Sequence, residues 1–210
     1  MTDSDTSKPS PPSPLVAATE AFVRERLAGE GTGHDWWHTD RVRRNALALA
    51  AREGADPLVV ELAALLHDIA DHKFHGGDHS VGPRVAGEFL RGAGADDELI
   101  KRVCTIIGEV SYSKGLVPAS IEGRCVQDAD RLDALGAIGI ARCFAFGGKM
   151  DRALWDPDAP AGTSLQHFDD KLFRLRDKMS TAAGRAAAAE RHERLVMFRE
   201  QFLAEWNGTL

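Results

Sequence analysis

The sequence predicts an all-α fold of one domain. Three observations carry that prediction: from Leu15 onward the apolar residues recur at spacings of three and four, hardly any alternating run reaches strand length, and Ala, Leu, Glu and Arg are favoured. A chain of 210 residues, 43% hydrophobic and 28% charged, suits one core of sizeable extent.

The opening MTDSDTSKPSPPSP, residues 1–14, is rich in Ser and Pro and lacks the basic-then-apolar order of a secretion signal, so it is expected to be a disordered lead-in. The domain then occupies 15–210. A first helix is predicted from about Val16 to Leu27, stopping at Gly29, and a second from near His34 to Gly54, with Val42, Leu47 and Leu49 as core positions. The third has clear start chemistry, because Asp56 can cap it and Pro57 suits the first helical position, where a missing N–H costs nothing. Its stripe is Leu58, Leu62, Leu65, Leu66 and Ile69. After the polar loop HKFHGGDHSVGP come helices at about Arg84–Arg91 and Asp97–Ile107, then a helical pair through SIEGRCVQDADRLDALGAIGIARCFAF divided near Gly123. Gly147 to Gly162, with Pro157 and Pro160, reads as a long surface loop. Ser164 can cap the next helix (Leu165, Phe168, Leu172, Leu175, Met179), and a last helix carries Leu195, Phe198, Phe202 and Trp206. Core packing accounts for both stripes, since each spans too few heptads for a coiled coil. They could equally pair two copies into a homodimer.

The net charge of −6 gives no global basic field for a nucleic-acid polymer, so a small anion held by local cations or a metal is the expected partner. No apolar stretch nears the roughly 20 residues that span a bilayer. Cys104, Cys125 and Cys143, odd in number and without CxxC spacing, read as buried thiols of a reducing cytoplasm.

The stretch ALLHDIADH ends an aliphatic run in two histidines and two aspartates, and burying such charge is costly unless a partner such as a cation neutralises it. On a helix His67 and Asp71 share one face and Asp68 and His72 the neighbouring one, while the angle of about 100° between adjacent residues lets His67 and Asp68 reach one ion. Imidazole and carboxylate suit a divalent transition metal, but two ligands make a poor site. GHDWWHTDRV offers His34 and His38 with Arg41 one turn on, and QDADRLDALG places Asp128, Asp130 and Asp133 in an otherwise apolar helix. His34-Asp35 repeats the dipeptide, but Asp35 precedes a helix start and can be an N-cap.

In that order, His38, then His67-Asp68, then an Asp of DADRLDALG resembles the H…HD…D signature of the HD-domain metal-dependent phosphohydrolase superfamily. GHDWWHTDRV, LLHDIADHKF, QDADRLDALGAIGIAR and SLQHFDDKLFRLRDKMSTAAGRAAAAER together resemble its small single-domain subgroup, which includes nucleotide pyrophosphohydrolases, over roughly Ala18 to Trp206. The resemblance implies an HD-domain helical bundle holding a divalent ion, Mn2+ first with Mg2+, Co2+, Ni2+ or Fe2+ as alternatives. Its implied ligands are His38, His67, Asp68 and Asp130, with Asp128 and Asp133 competing for the last place. Asp68 and Asp71 are then the catalytic carboxylates, Asp71 as base or as a partner that orients an imidazole. Arg41, Lys73 and Lys114 are the candidate phosphate cations. His72, His75 and His79 could hold a second ion or form a pocket rim. Trp36 and Trp37 are expected in the core, and Glu109 lines the cleft or faces water.

The implied reaction is hydrolysis of (deoxy)nucleoside triphosphates to monophosphate and pyrophosphate. The rivals are a nucleoside monophosphate phosphatase of the 5′-nucleotidase type, a diiron oxygenase, which needs extra ligands, and a non-catalytic nucleotide sensor.

Overall fold

Several helix starts and stops follow from local chemistry. In a computed structural model, describing residues 13–29, 35–70, 78–110 and 115–209, α1 (Pro14–Arg26) begins where the Ser13 hydroxyl accepts from the Val16 N–H. In α2 (Trp36–Glu53) the Asp35 carboxylate accepts from the His38 N–H at 2.8 Å, so Asp35 is the N-cap. The helix stops at Gly54, whose φ of 70° is left-handed. Asp56 caps α3 (Pro57–Leu66) by accepting from Leu58 and Val59. Then follow α4 (Val81–Gly92), α5 (Asp97–Val110), α6 (Ile121–Asp133) and α7 (Gly136–Lys149). A π-helical turn at Phe168–Leu172, the short α8 (Phe173–Leu175) and a 3-10 turn at Arg176–Lys178 lead to α9 (Ala182–Trp206). No strand occurs among the described residues. The expected lead-in lies outside them up to residue 12.

Helix α3 is the centre. Val59, Val60 and every residue from Leu62 to Leu66 are buried, and α1, α2, α5 and α6 surround it. Its start is at the rim, where Leu58 is 37% exposed, so the stripe of this helix starts at Val59. Because α2 also packs on α6, the beginning of α2, the end of α3 and the second half of α6 meet at one place.

Three local expectations are corrected. The helical pair is divided at Gly136, not Gly123: Gly136 has φ +69°, whereas Gly123 lies in the first turn of α6, where a Cβ would come within 2.7 Å of Pro118. Thr163 rather than Ser164 supplies the hydroxyl that accepts from Gln166 N–H. Leu47 is only half-buried.

Asp128 also has a structural use. Fully buried, its carboxylate accepts from the backbone N–H groups of Ser180 and Thr181 and from the Thr181 hydroxyl, fixing the chain where α9 starts. Asp128→Ala leaves these donors without an acceptor and is expected to cost about 2–4 kcal/mol in chemical denaturation. A loss below 1 kcal/mol would show that the tether is dispensable.

Candidate metal centre

His38, the third residue of α2, is fully buried. Its Nδ1 lies 2.7 Å from an oxygen of Asp133 on α6. A carboxylate only accepts, so Nδ1 carries the proton and Nε2 presents its lone pair away from Asp133. His67 caps the end of α3, and its Nδ1 lies 2.8 Å from the Ala64 carbonyl, which fixes the same tautomer. Its Nε2 is buried and has no hydrogen-bond partner among the described residues. In both rings a hydrogen bond at Nδ1 aims Nε2 at a common point.

Two carboxylates meet it there. Asp68 Oδ2 lies 3.4 Å from His38 Nε2 and 3.3 Å from His67 Nε2, and Asp130 Oδ1 lies 3.5 and 4.0 Å from the same atoms. Donors sharing one transition ion at the usual bond lengths stand about 3.0–3.4 Å apart when adjacent and about 4.2 Å when opposite. The observed separations fall in or between those values. His38, His67 and Asp68 form the one group of three or more potential metal donors found among the described residues. Two neutral imidazoles and two carboxylates suit a divalent cation, and the ion would neutralise charge that the fold otherwise leaves facing itself.

Without an ion, protons do part of that work. Burial disfavours the His67 imidazolium, but Asp68 and Asp130 outweigh it and raise its pKa to about 9. At His38 burial likewise opposes the charge, and Asp133, Asp68 and Asp130 overcome it. The His67 proton therefore stabilises the ion-free fold fully below the unfolded value of about 6.5, and that contribution is lost as pH rises through about 9. A cation must displace this proton, so divalent-ion affinity should strengthen as pH rises toward about 9. Calorimetry at pH 7.5 in two buffers of different ionisation enthalpy should report proton release. A binding heat independent of buffer would contradict it.

Asp133 is a support, and the sequence presented it only as a rival ligand. Burial would raise its pKa, but His38, Arg41 and Arg142 hold its carboxyl well below the usual carboxylate range. Arg41 donates to both Asp133 oxygens, at 2.7 and 3.0 Å, and Arg142 to one at 2.6 Å. Arg41 thus sits behind the Nδ1 side of His38. The findable signal was that a ligand histidine needs an acceptor, and Asp133 lies one helical turn from Asp130.

Other candidates are placed as follows. Asp71, His72, Lys73, His75, Lys114 and His34 lie outside the described residues. His79 is half-buried two residues before α4. Glu109 accepts from the Ala119 N–H and so ties down the chain after α5. Trp36 is buried with Arg24 over its ring, whereas Trp37 is 61% exposed, a correction to the core expectation. A tryptophan one residue further along α2 points some 100° round the helix, away from the core. The thiols are free, and burial pushes Cys125 up to about 12 and Cys143 up to about 11. Among the described residues no helix is long and apolar enough to cross a membrane.

This arrangement, two imidazoles and two carboxylates delivered by three helices in the order His, His-Asp, Asp, has a known counterpart. The HD domain matches residues 36–135, a span that opens two residues before His38 and closes two after Asp133. The chain belongs to the HD-domain family. It is 40% identical over 184 residues to YpgQ of Bacillus subtilis, covering 86% of this chain and 88% of that protein. The crystal structure of an HD-superfamily hydrolase from Bacillus thuringiensis superposes with a TM-score of 0.78 at 42% identity, covering 91% of this chain and 96% of that one. A structure of B. subtilis YpgQ in complex with ADP gives 0.77 at 38% identity, covering 91% and 94%.

Proposed function

We propose that this chain is a metal-dependent phosphohydrolase of nucleotides, cleaving nucleoside triphosphates with water into monophosphate and pyrophosphate. The observation that carries the reading is the convergence of His38 Nε2, His67 Nε2, Asp68 and Asp130, with the His67 nitrogen buried and lacking a hydrogen-bond partner among the described residues. Nucleotide as substrate class is supported by the ADP complex of the YpgQ relative.

Those four residues would hold the ion, with manganese the first metal to try. A divalent ion held there supplies a Lewis acid for a phosphoryl oxygen and lowers the pKa of an attacking water. The chain does the rest. Asp133 and the Ala64 carbonyl each hold the Nδ1 proton of an imidazole, so both rings would bind through Nε2, the His67 ring once the proton there has left. Asp68, 20% exposed at its side chain, and Asp130, at 32%, form the open side of the cluster, where a phosphate could approach. Asp71, three residues beyond Asp68, is assigned as the base that takes the proton of the water. Lys73 and Lys114 are assigned to the phosphates. Arg41, expected beside them, serves first by fixing Asp133.

The test is phosphate and pyrophosphate release from nucleoside mono-, di- and triphosphates with added manganese, for the native protein and Asp68→Asn. Pyrophosphate from triphosphates with the native protein alone is expected. Orthophosphate from monophosphates would replace this reading by the phosphatase. Nucleotide binding without any release would replace it by the sensor.

A further inference from the structure

An arginine-lined cavity has Asp133 in its wall. Its volume is about 300 Å³, and Arg41, Arg44, Asn45, Asp133, Arg191 and Arg194 form its polar lining. None of His38, His67, Asp68 or Asp130 lines it, so it is a separate space. Pockets that enclose whole small molecules begin at about this size.

The charges in the lining do not balance. Arg41 is paired with Asp133, and Arg44 with Asp40 at 2.5 Å. Arg191 donates to the Leu132 carbonyl and to the Asn45 side-chain oxygen, both neutral. Arg194 makes no hydrogen bond or ion pair with any described residue, and its charge bears on Arg191. Burial pushes the Arg191 guanidinium below its ordinary pKa; Asp133 and Glu190 oppose the shift and the neighbouring charge of Arg194 adds to it. Such a cluster in a chain of net charge −6 is not a by-product of general basicity. The start of α7 completes the wall. Its cap residue Leu135 offers no side-chain acceptor, and Gly136, Ala137 and Ile138 line the cavity, adding backbone N–H groups to the guanidinium donors. Gly136 is also required there, since its φ is +69° and a Cβ would stand 3.3 Å from the Arg191 side chain.

We infer that this arginine-lined cavity is a binding site for a compact polyphosphate anion, separate from the metal cluster. Guanidinium groups match phosphate oxygens in paired hydrogen bonds, and at least two positive charges remain after every carboxylate that pairs within the cavity is counted. A single monoanion would leave that charge unmatched. A chain of two or three phosphates would satisfy Arg191 and Arg194 together and reach the α7 start.

The test uses full-length protein stripped of metal with a chelator, so that it does not depend on the hydrolase reading. Tripolyphosphate, pyrophosphate and orthophosphate are titrated calorimetrically into the native protein, Arg194→Glu and Asp68→Ala, with circular dichroism melting to show that each variant is folded. Tripolyphosphate is expected to bind the native protein more tightly than orthophosphate, more weakly as salt is added, and at least about tenfold more weakly to Arg194→Glu. Asp68→Ala should bind it as the native protein does. Absence of binding to the native protein overturns the inference, and so does binding that Arg194→Glu leaves unchanged. Binding that Asp68→Ala clearly strengthens would place the anion at the histidine cluster, where that variant removes a repelling carboxylate, and overturn it equally.

Discussion

Asp68→Ala is expected to lose divalent-ion-dependent hydrolysis by about a thousandfold or more while remaining folded. Among the described residues Asp68 is the one placed within 3.4 Å of both imidazole Nε2 atoms, so it binds the two halves of the cluster together. Its removal takes away an anionic donor and leaves His38 and His67 with Asp130 alone. Kinetics at saturating manganese, together with a melting curve, separate loss of chemistry from loss of fold. Residual activity within about tenfold of the native protein would mean that the reaction does not run through this cluster.

The second large effect is expected at a residue that does not face the cluster. Asp133→Asn keeps the shape of the side chain but replaces one acceptor oxygen with a donor beside His38 Nδ1. The imidazole can then accept at Nδ1 and carry its proton at Nε2, the tautomer that cannot ligate. The same change leaves Arg41 and Arg142 facing a neutral amide in place of a carboxylate that is 2% exposed. Ion affinity should fall by about 10–100-fold. Titration with manganese, followed by the resonance of the free ion, reads this directly. Asp128→Asn provides the contrast, because it should lower stability without weakening the ion. Equal affinity in native protein and Asp133→Asn would show that the hydrogen bond does not set the His38 tautomer.

Asp128, Asp130 and Asp133 also mark how far the sequence can be read. All three stood out as acids in an apolar helix, and nothing within six residues tells them apart. Their partners do. Asp128 is met by Ser180 and Thr181, more than fifty positions on, Asp130 by the two histidines, and Asp133 by His38 and two arginines. Each acid took a different task because each faces a different element, which helical spacing alone does not encode. Asp56 with Pro57, Asp35 as a cap, and the stop at Gly54 were legible because their chemistry is settled within four residues. The division at Gly136 was not, since three glycines stood in the pair and only Gly136 has the left-handed φ of a turn; Gly123 is a point of close contact with Pro118 and Gly139 with the Ala134 backbone. The arginine cavity was illegible for the same reason as Asp133: Arg41 and Arg44 belong to α2, Arg191 and Arg194 to α9, and only the packing of these helices joins them.

The central claim is that one divalent ion sits among His38, His67, Asp68 and Asp130. Anomalous diffraction at the manganese edge, from crystals of the protein grown with manganese, tests it most directly. The account predicts one strong peak per chain at about 2.0–2.3 Å from the two Nε2 atoms and from oxygens of Asp68 and Asp130. A peak elsewhere in the chain, or none while manganese binds in solution, would contradict it.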